Sequence, residues 1–200
     1  NRSYLFVPAD SERKLKKSAD VGADALILDL EDSVAPDARD GARQLCREFL
    51  ASRKQAWVRI NPLSSDDATK DLEAVMPAAP AGIVLPKAEG ARDLGRLADL
   101  LDGLEQAHGL ERGTTAILPI CTETPRAIFA LREYAGVTAR LAAMTWGAED
   151  LSAALGAAAN RDEHGGWLPP YELARSLCLF AAHAAEVPAI DTVFTDFGDE

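Results

Sequence analysis

Seven short apolar runs punctuate the sequence, and nearly every one ends in a residue able to do chemistry. Two carboxylates come first: Glu123, closing "TAILPICTE", and Asp150 in "TWGAEDL", directly after Glu149. Two carboxylates at neighbouring strand ends with no histidine nearby suit a hard cation, Mg²⁺, which takes one or two protein carboxylates and completes its octahedron with water and substrate oxygens. Asp150 also precedes Leu151, where a helix is expected, and a carboxylate there can instead cap backbone N–H groups.

Arg59, in "AWVRIN", is the candidate for gripping a substrate carboxylate, because its planar fork matches that group and a desolvated guanidinium needs an anion. The alternative is an ion pair with Glu31 on the neighbouring strand, and the two roles are compatible. Lys87, in "GIVLPK", can form a Schiff base if its pKa is depressed, or can neutralise the surrounding acids. The acids favour the second role. Cys121 reads as core packing, since a thiol nucleophile wants a histidine beside it. His108, His164 and His183 fall in helical or loop stretches, which removes the usual zinc and triad arrangements.

These residues need a scaffold that brings strand ends together. The runs at 3–8, 24–31, 56–61, 82–87, 115–123, 141–147 and 189–194 are too short for helices and apolar almost throughout, as parallel strands buried on both faces should be. Between them lie helical patterns: 11–22 with Ser11 as cap and Gly22 as stop, 36–53 opening on Pro36, 89–106 with Leu94, Leu97, Leu101 and Leu104 at helical spacing, and 171–187 with Leu173, Leu177 and Phe180 repeating likewise. Alternating strands and helices predict a parallel sheet in one domain, 1–200, either an open doubly wound sheet or a (β/α)₈ barrel. No Gly-rich phosphate fingerprint follows a strand, which weakens the dinucleotide-binding open sheet. A barrel needs eight strands and seven are legible, so the eighth β/α unit is expected to be missing if the fold is a barrel. In a barrel all C-terminal strand ends meet at one face, the face where such enzymes keep their active sites. Charge stands at or just beyond every strand end: Asp10, the acids Asp29, Glu31 and Asp32, Arg59 with Asn61, Lys87, Glu123, Glu149 with Asp150, and Asp196.

A net charge of −11 argues against nucleic acid, whose phosphates recruit basic surfaces. No stretch approaches the roughly 18 uninterrupted apolar residues of a membrane span, and the N-terminus lacks a signal-peptide pattern. Three cysteines, Cys46, Cys121 and Cys178, form neither a disulfide framework nor a zinc spacing. The expectation is a cytoplasmic protein with reduced thiols and a small-molecule partner.

In order along the chain, "SYLFVPADSERKLKKS", "GADALILDLEDSVAP", "VRINP", "GIVLPKAE", "ETPRAI", "WGAEDLSAALG" and "DTVFTDF" resemble the citrate lyase β-subunit-like proteins of the HpcH/HpaI aldolase/citrate lyase family. The resemblance runs from Arg2 to Phe197, and "LILDLEDSV" and "WGAEDL" are its most specific pieces. It implies a TIM-type barrel and Mg²⁺-dependent cleavage or formation of a carbon–carbon bond in acyl-CoA esters of hydroxy acids, such as citryl-CoA, malyl-CoA or citramalyl-CoA, with a 2-oxo acid as the other product. By motif match Glu123 and Asp150 become the metal ligands, and Arg59 the substrate-carboxylate residue. Backbone N–H groups of Gly147 and Ala148 help hold the keto-acid, and Glu31 and Asp32 support the site. The resemblance also implies a homo-oligomer, with a trimer the candidate arrangement. A CoA-independent pyruvate or oxaloacetate aldolase, and a subunit of a multi-component citrate lyase complex, are the alternatives. Family members usually continue past "TDF" through elements that help complete the site.

Overall fold

Each of the seven expected runs contains a strand in the computed structural model, which describes residues 2–53 and 55–195. The strands are β1 (Tyr4–Pro8), β2 (Ala25–Asp29), β3 (Trp57–Arg59), β4 (Gly82–Leu85), β5 (Ala116–Pro119), β6 (Met144–Thr145) and β7 (Ala189–Ile190). The helices are α1 (Glu12–Ser18), α2 (Arg39–Ser52), α3 (Asp67–Val75), α4 (Ala91–Ala107), α5 (Pro125–Ala130), α6 (Ala148–Leu155) and α7 (Pro169–Ala184). Asp196 lies outside the described residues. Among the described residues, no helix is long and apolar enough to cross a membrane. The chain groups into two compact units. One takes residues up to Pro86 and then Arg96–Ile117; the other takes Lys87–Gly95 and continues from Leu118.

In the first unit the strands are parallel, in the order β1-β2-β3-β4, with the start of β5 beside β4. Every residue of β2 is buried, as a strand covered on both faces requires. Leu28, Val58, Ile83 and Val84 are fully buried at its centre. Alternation sorts β3: Val58 and Ile60 are sealed, while Trp57 meets Tyr4 edge-on and Arg59 lies over the Phe6 ring. Trp57 faces Gly82 in register, and a Cβ at Gly82 would fall 2.3 Å from the indole, so only glycine lets the ring cross β4 there. Ser11 caps α1 as expected, its hydroxyl accepting from the Lys14 N–H at 3.4 Å. The helix ends at Ser18 rather than Gly22, because residues 19–21 turn back through i→i−3 bonds onto Lys16, Lys17 and Ser18.

Asn61, expected among the polar strand-end residues, turns inward. Its amide donates to Asp71 of α3 and to the Leu30 carbonyl, and Asp71 is bridged to the buried Arg43 of α2 at 2.7 Å. The residue therefore ties β3 to the helices behind it. It belongs to the scaffold.

In the second unit β6 and β7 pair in parallel, and the end of β5 joins them through an Ile120–Thr145 bridge and the Cys121 N–H on the Thr145 carbonyl. Helix α7 packs on β6, β7 and the 3₁₀ turn Leu131–Tyr134 through Tyr171, Ala174, Cys178, Ala181 and Ala182. Of the apolar repeat read from the sequence, Leu173 (58% exposed) and Phe180 (67% exposed) face away, and Leu177 is half-buried at its edge. The small residues Ala174, Cys178, Ala181 and Ala182 let the helix approach the strands closely.

Candidate active site

In the second unit the geometry converges on Lys87. Glu123, four residues beyond β5 and 2% exposed, accepts a short hydrogen bond from the Lys87 backbone N–H. Asp150, in the first turn of α6, has an oxygen 3.3 Å from the Lys87 ammonium, and each side chain of that pair is about one-third exposed. One residue thus touches both expected metal ligands, with its main chain on one and its side-chain tip on the other. The cap reading of Asp150 is not what the helix shows: Gly147 occupies the N-cap position and no side chain caps the helix. Asp150 and Glu149 instead lie in the positive first turn of α6, where carboxylates are favoured. Glu149 turns away, exposed, and accepts from the Asn160 amide at 2.9 Å.

Lys87 is held in an uncommon shape. Its φ is +51°, a left-handed conformation that a non-glycine residue adopts only when its surroundings impose it. Those surroundings are specific. The buried Tyr134 hydroxyl donates to the Ala88 carbonyl and accepts from the Gly90 N–H, both at 3.1 Å, while Asp93 accepts from the Glu89 N–H at 2.9 Å. Glu89 in turn accepts from Thr124, the N-cap of α5, at 2.8 Å. Segment 87–90 is therefore pinned on both sides, next to Glu123.

The β6–α6 turn passes over Glu123 at Gly147, where a Cβ would lie 2.7 Å from the Glu123 Cγ. The Gly147 N–H donates to the Thr122 hydroxyl at 3.1 Å, and the Ala148 N–H to the Thr192 hydroxyl at 3.4 Å. Both amides expected to meet a keto-acid thus have threonine partners. Trp146 is fixed through its indole N–H on Asp191, at 2.7 Å, and Asp191 is also clamped by Arg175. Burial pushes the Asp191 carboxyl up, but Trp146 and Arg175 outweigh it and hold it below the usual carboxylate range. Thr122, Tyr134 and Asp191 escaped the sequence reading. Asp191 alone left a signal, as a charge at the end of β7.

A divalent ion fits this donor set in kind. The donors are hard oxygens, one buried and one partly open, and the glycine at 147 lets the turn pack directly on the Glu123 stem. Among the described residues there is no group of three or more His, Cys, Asp or Glu side chains arranged to hold a metal, so water or substrate oxygens would have to supply the remaining positions. Cys121 is fully buried, and burial raises its thiol pKa well above the ordinary value, which keeps it out of nucleophilic chemistry.

Arg59 anchors the other group, within the first unit. Its Nε and one terminal nitrogen donate to the two Asp29 oxygens, each at 2.7 Å, and the other terminal nitrogen lies 3.2 Å from Glu31 and 3.7 Å from Asp32. The pairing with Glu31 is present, but Asp29 is the principal partner. Asp29 also accepts from the Glu31 and Ser33 N–H groups, which folds the loop after β2 around it. Burial opposes the charge on Arg59, yet Asp29, then Glu31 and Asp32, overcome it and raise its pKa. Burial likewise pushes Asp29 up, and Arg59 more than reverses that.

Parallel β/α units with charged residues beyond their strand ends define a broad class, the parallel α/β proteins, and comparison with known proteins makes the family specific. The chain matches the HpcH/HpaI aldolase/citrate lyase family over residues 2–200 and belongs to it. It is 35% identical to a citrate lyase subunit beta-like protein of Mycobacterium tuberculosis over 198 residues, which are 98% of this chain and 65% of that protein. The chain therefore spans just under two thirds of that relative's length. The M. tuberculosis citrate lyase beta subunit complexed with oxaloacetate and magnesium superimposes with a TM-score of 0.81 at 34% identity, covering all of this chain and 81% of the other. Protein CitE of the same organism, in complex with magnesium, acetoacetate and coenzyme A, gives 0.79 at 34% identity, covering 98% and 67%. The fold is accordingly of TIM-barrel type.

Proposed function

We propose that this chain carries the metal-binding machinery of a Mg²⁺-dependent carbon–carbon lyase acting on an acyl-CoA ester of a hydroxy acid. The observation that carries the reading is the convergence of Glu123 and Asp150 on Lys87, one through its backbone N–H and the other through its ammonium. The relatives support it: solved members of the family carry magnesium with oxaloacetate, and magnesium with acetoacetate and coenzyme A.

In this reading Glu123 and Asp150 hold the ion, whose contribution is Lewis-acid stabilisation of negative charge on oxygen. Arg59 takes the carboxylate of the hydroxy-acid half and fixes its orientation. Glu31 and Asp32 keep the guanidinium in place, and the Gly147 and Ala148 N–H groups exchange their threonine partners for substrate oxygens. Cleavage removes the hydroxyl proton and leaves the bonding electron pair on the thioester α-carbon, giving a 2-oxo acid and an acetyl-CoA-type enolate that is then protonated.

The test is incubation with citryl-, malyl- and citramalyl-CoA, and separately with pyruvate plus an aldehyde, with products read by mass spectrometry. CoA-ester cleavage that needs Mg²⁺ and is lost in Glu123→Gln and Asp150→Asn, both still folded by circular dichroism, is the expected result. Turnover of the CoA-free pair alone would replace the proposal with an aldolase, and full activity in either variant would remove the metal assignment.

A further inference from the structure

Lys87 stands out because three independent features meet in it. Its backbone is in a left-handed conformation, its own N–H is spent on the buried Glu123, and its ammonium is spent on Asp150. The strain is imposed by a fixed frame, since Tyr134 grips the main chain at Ala88 and Gly90, and Asp93 grips it at Glu89. A residue that only offset nearby charge would need neither the strain nor the frame.

We propose that Lys87 is a positioning residue whose ammonium serves as a stand-in cation, holding Asp150 in place until a divalent ion displaces it. The inference rests on Glu123 and Asp150 being the metal ligands. Glu123 and Asp150 both contact Lys87, one at its N–H and the other at its ammonium, and carboxylates drawn toward one partly desolvated residue are more easily kept ionised when a positive charge accompanies them. The Lys87 side chain supplies that charge as a flexible, singly charged tip, which a doubly charged ion can outcompete. The backbone N–H stays on Glu123 throughout, so one ligand is fixed and the other is released for coordination. The arrangement makes a direct trade: the ammonium preserves the geometry of the site and weakens its affinity for the ion.

The experiment is titration of the chain with Mn²⁺ alone, followed by electron paramagnetic resonance of the unbound ion, with Mg²⁺ as competitor. Lys87→Met removes the ammonium and keeps the stem. Lys87→Gly removes both and suits the left-handed backbone, so it remains a folded test if the first variant is not. Both are expected to bind Mn²⁺ on the order of tenfold tighter than the parent, because a competing positive charge is gone; Lys87→Arg, which keeps a cation, is expected to show no such gain. A purely structural lysine would give weaker binding when removed, so unchanged or weaker binding in the Met and Gly variants overturns the proposal. Binding by the parent that is lost in Asp150→Asn, with no gain in the Lys87 variants, overturns this inference alone. Absence of binding in every form overturns the metal assignment and the inference together.

Discussion

Asp29 and Arg59 occupy facing register positions on neighbouring parallel strands and are joined by two charge-assisted hydrogen bonds of 2.7 Å. The geometry is the parallel bidentate fork that makes Arg–carboxylate pairs both strong and oriented. It leaves one terminal nitrogen of Arg59 toward Glu31 and Asp32, so Asp29 decides which edge of the guanidinium is available to anything else.

Asp29→Asn should therefore cost about 3 kcal/mol of stability, the low end for breaking a buried ion pair, because Glu31 and Asp32 still accompany the arginine. Urea denaturation checks it. A cost below about 1 kcal/mol, the range of exposed pairs, would mean that the pair contributes no more than a surface contact.

Acid should weaken the fold through the same pair. The Asp29 carboxyl is held below its ordinary value in the folded chain, so the unfolded chain binds its proton first as pH falls. Its contribution is fully present above the unfolded value of about 4 and is lost as pH falls through the lower folded value. Unfolding free energies from pH 6 downward should decline below about pH 4, and the decline should be shallower in Asp29→Asn. Parallel slopes for parent and variant would contradict this assignment.

Gly147→Ala should disturb the site more than the fold. The added methyl would fall 2.7 Å from the Glu123 Cγ and 3.2 Å from the Ile120 side chain, so Glu123 must shift. Overpacking of this kind costs about 1–3 kcal/mol. Thermal unfolding should record that cost, while Mn²⁺ affinity falls in step with Mg²⁺-dependent turnover. Unaltered Mn²⁺ affinity would show that the turn over Glu123 has room the structure does not display.

The parts of the fold that obey short-range rules were legible in the sequence. Parallel strands appear as apolar runs because they are buried on both faces, and all seven runs contain a strand. Of the stripe Leu94, Leu97, Leu101 and Leu104 on α4, the first three are fully buried and Leu104 is half-buried, as the spacing required for one packed face. On α7 the same rule misled, because large side chains drew attention from the alanines and cysteine that form its packed face. In the site, the types of Glu123, Asp150, Arg59 and Lys87 were readable and their partners were not. Glu31 was the expected partner of Arg59, but strand register set Asp29 opposite it, and register is not written in either strand alone. Tyr134 lies 46 residues from Ala88, too far apart in sequence for any local pattern to connect them.

The three tryptophans have a practical consequence. Trp146 and Trp167 meet edge-to-face with ring centres 5.0 Å apart, and Trp146 immediately precedes Gly147, whereas Trp57 lies in the other unit against Gly82. Two indoles so close share their excited states, so the pair gives the second unit an optical signature in near-ultraviolet circular dichroism that an isolated indole does not produce. A Trp57→Phe variant would leave Trp146 and Trp167 as the indoles in that spectrum. The molecule thus contains its own spectroscopic gauge, one residue from the turn that covers Glu123.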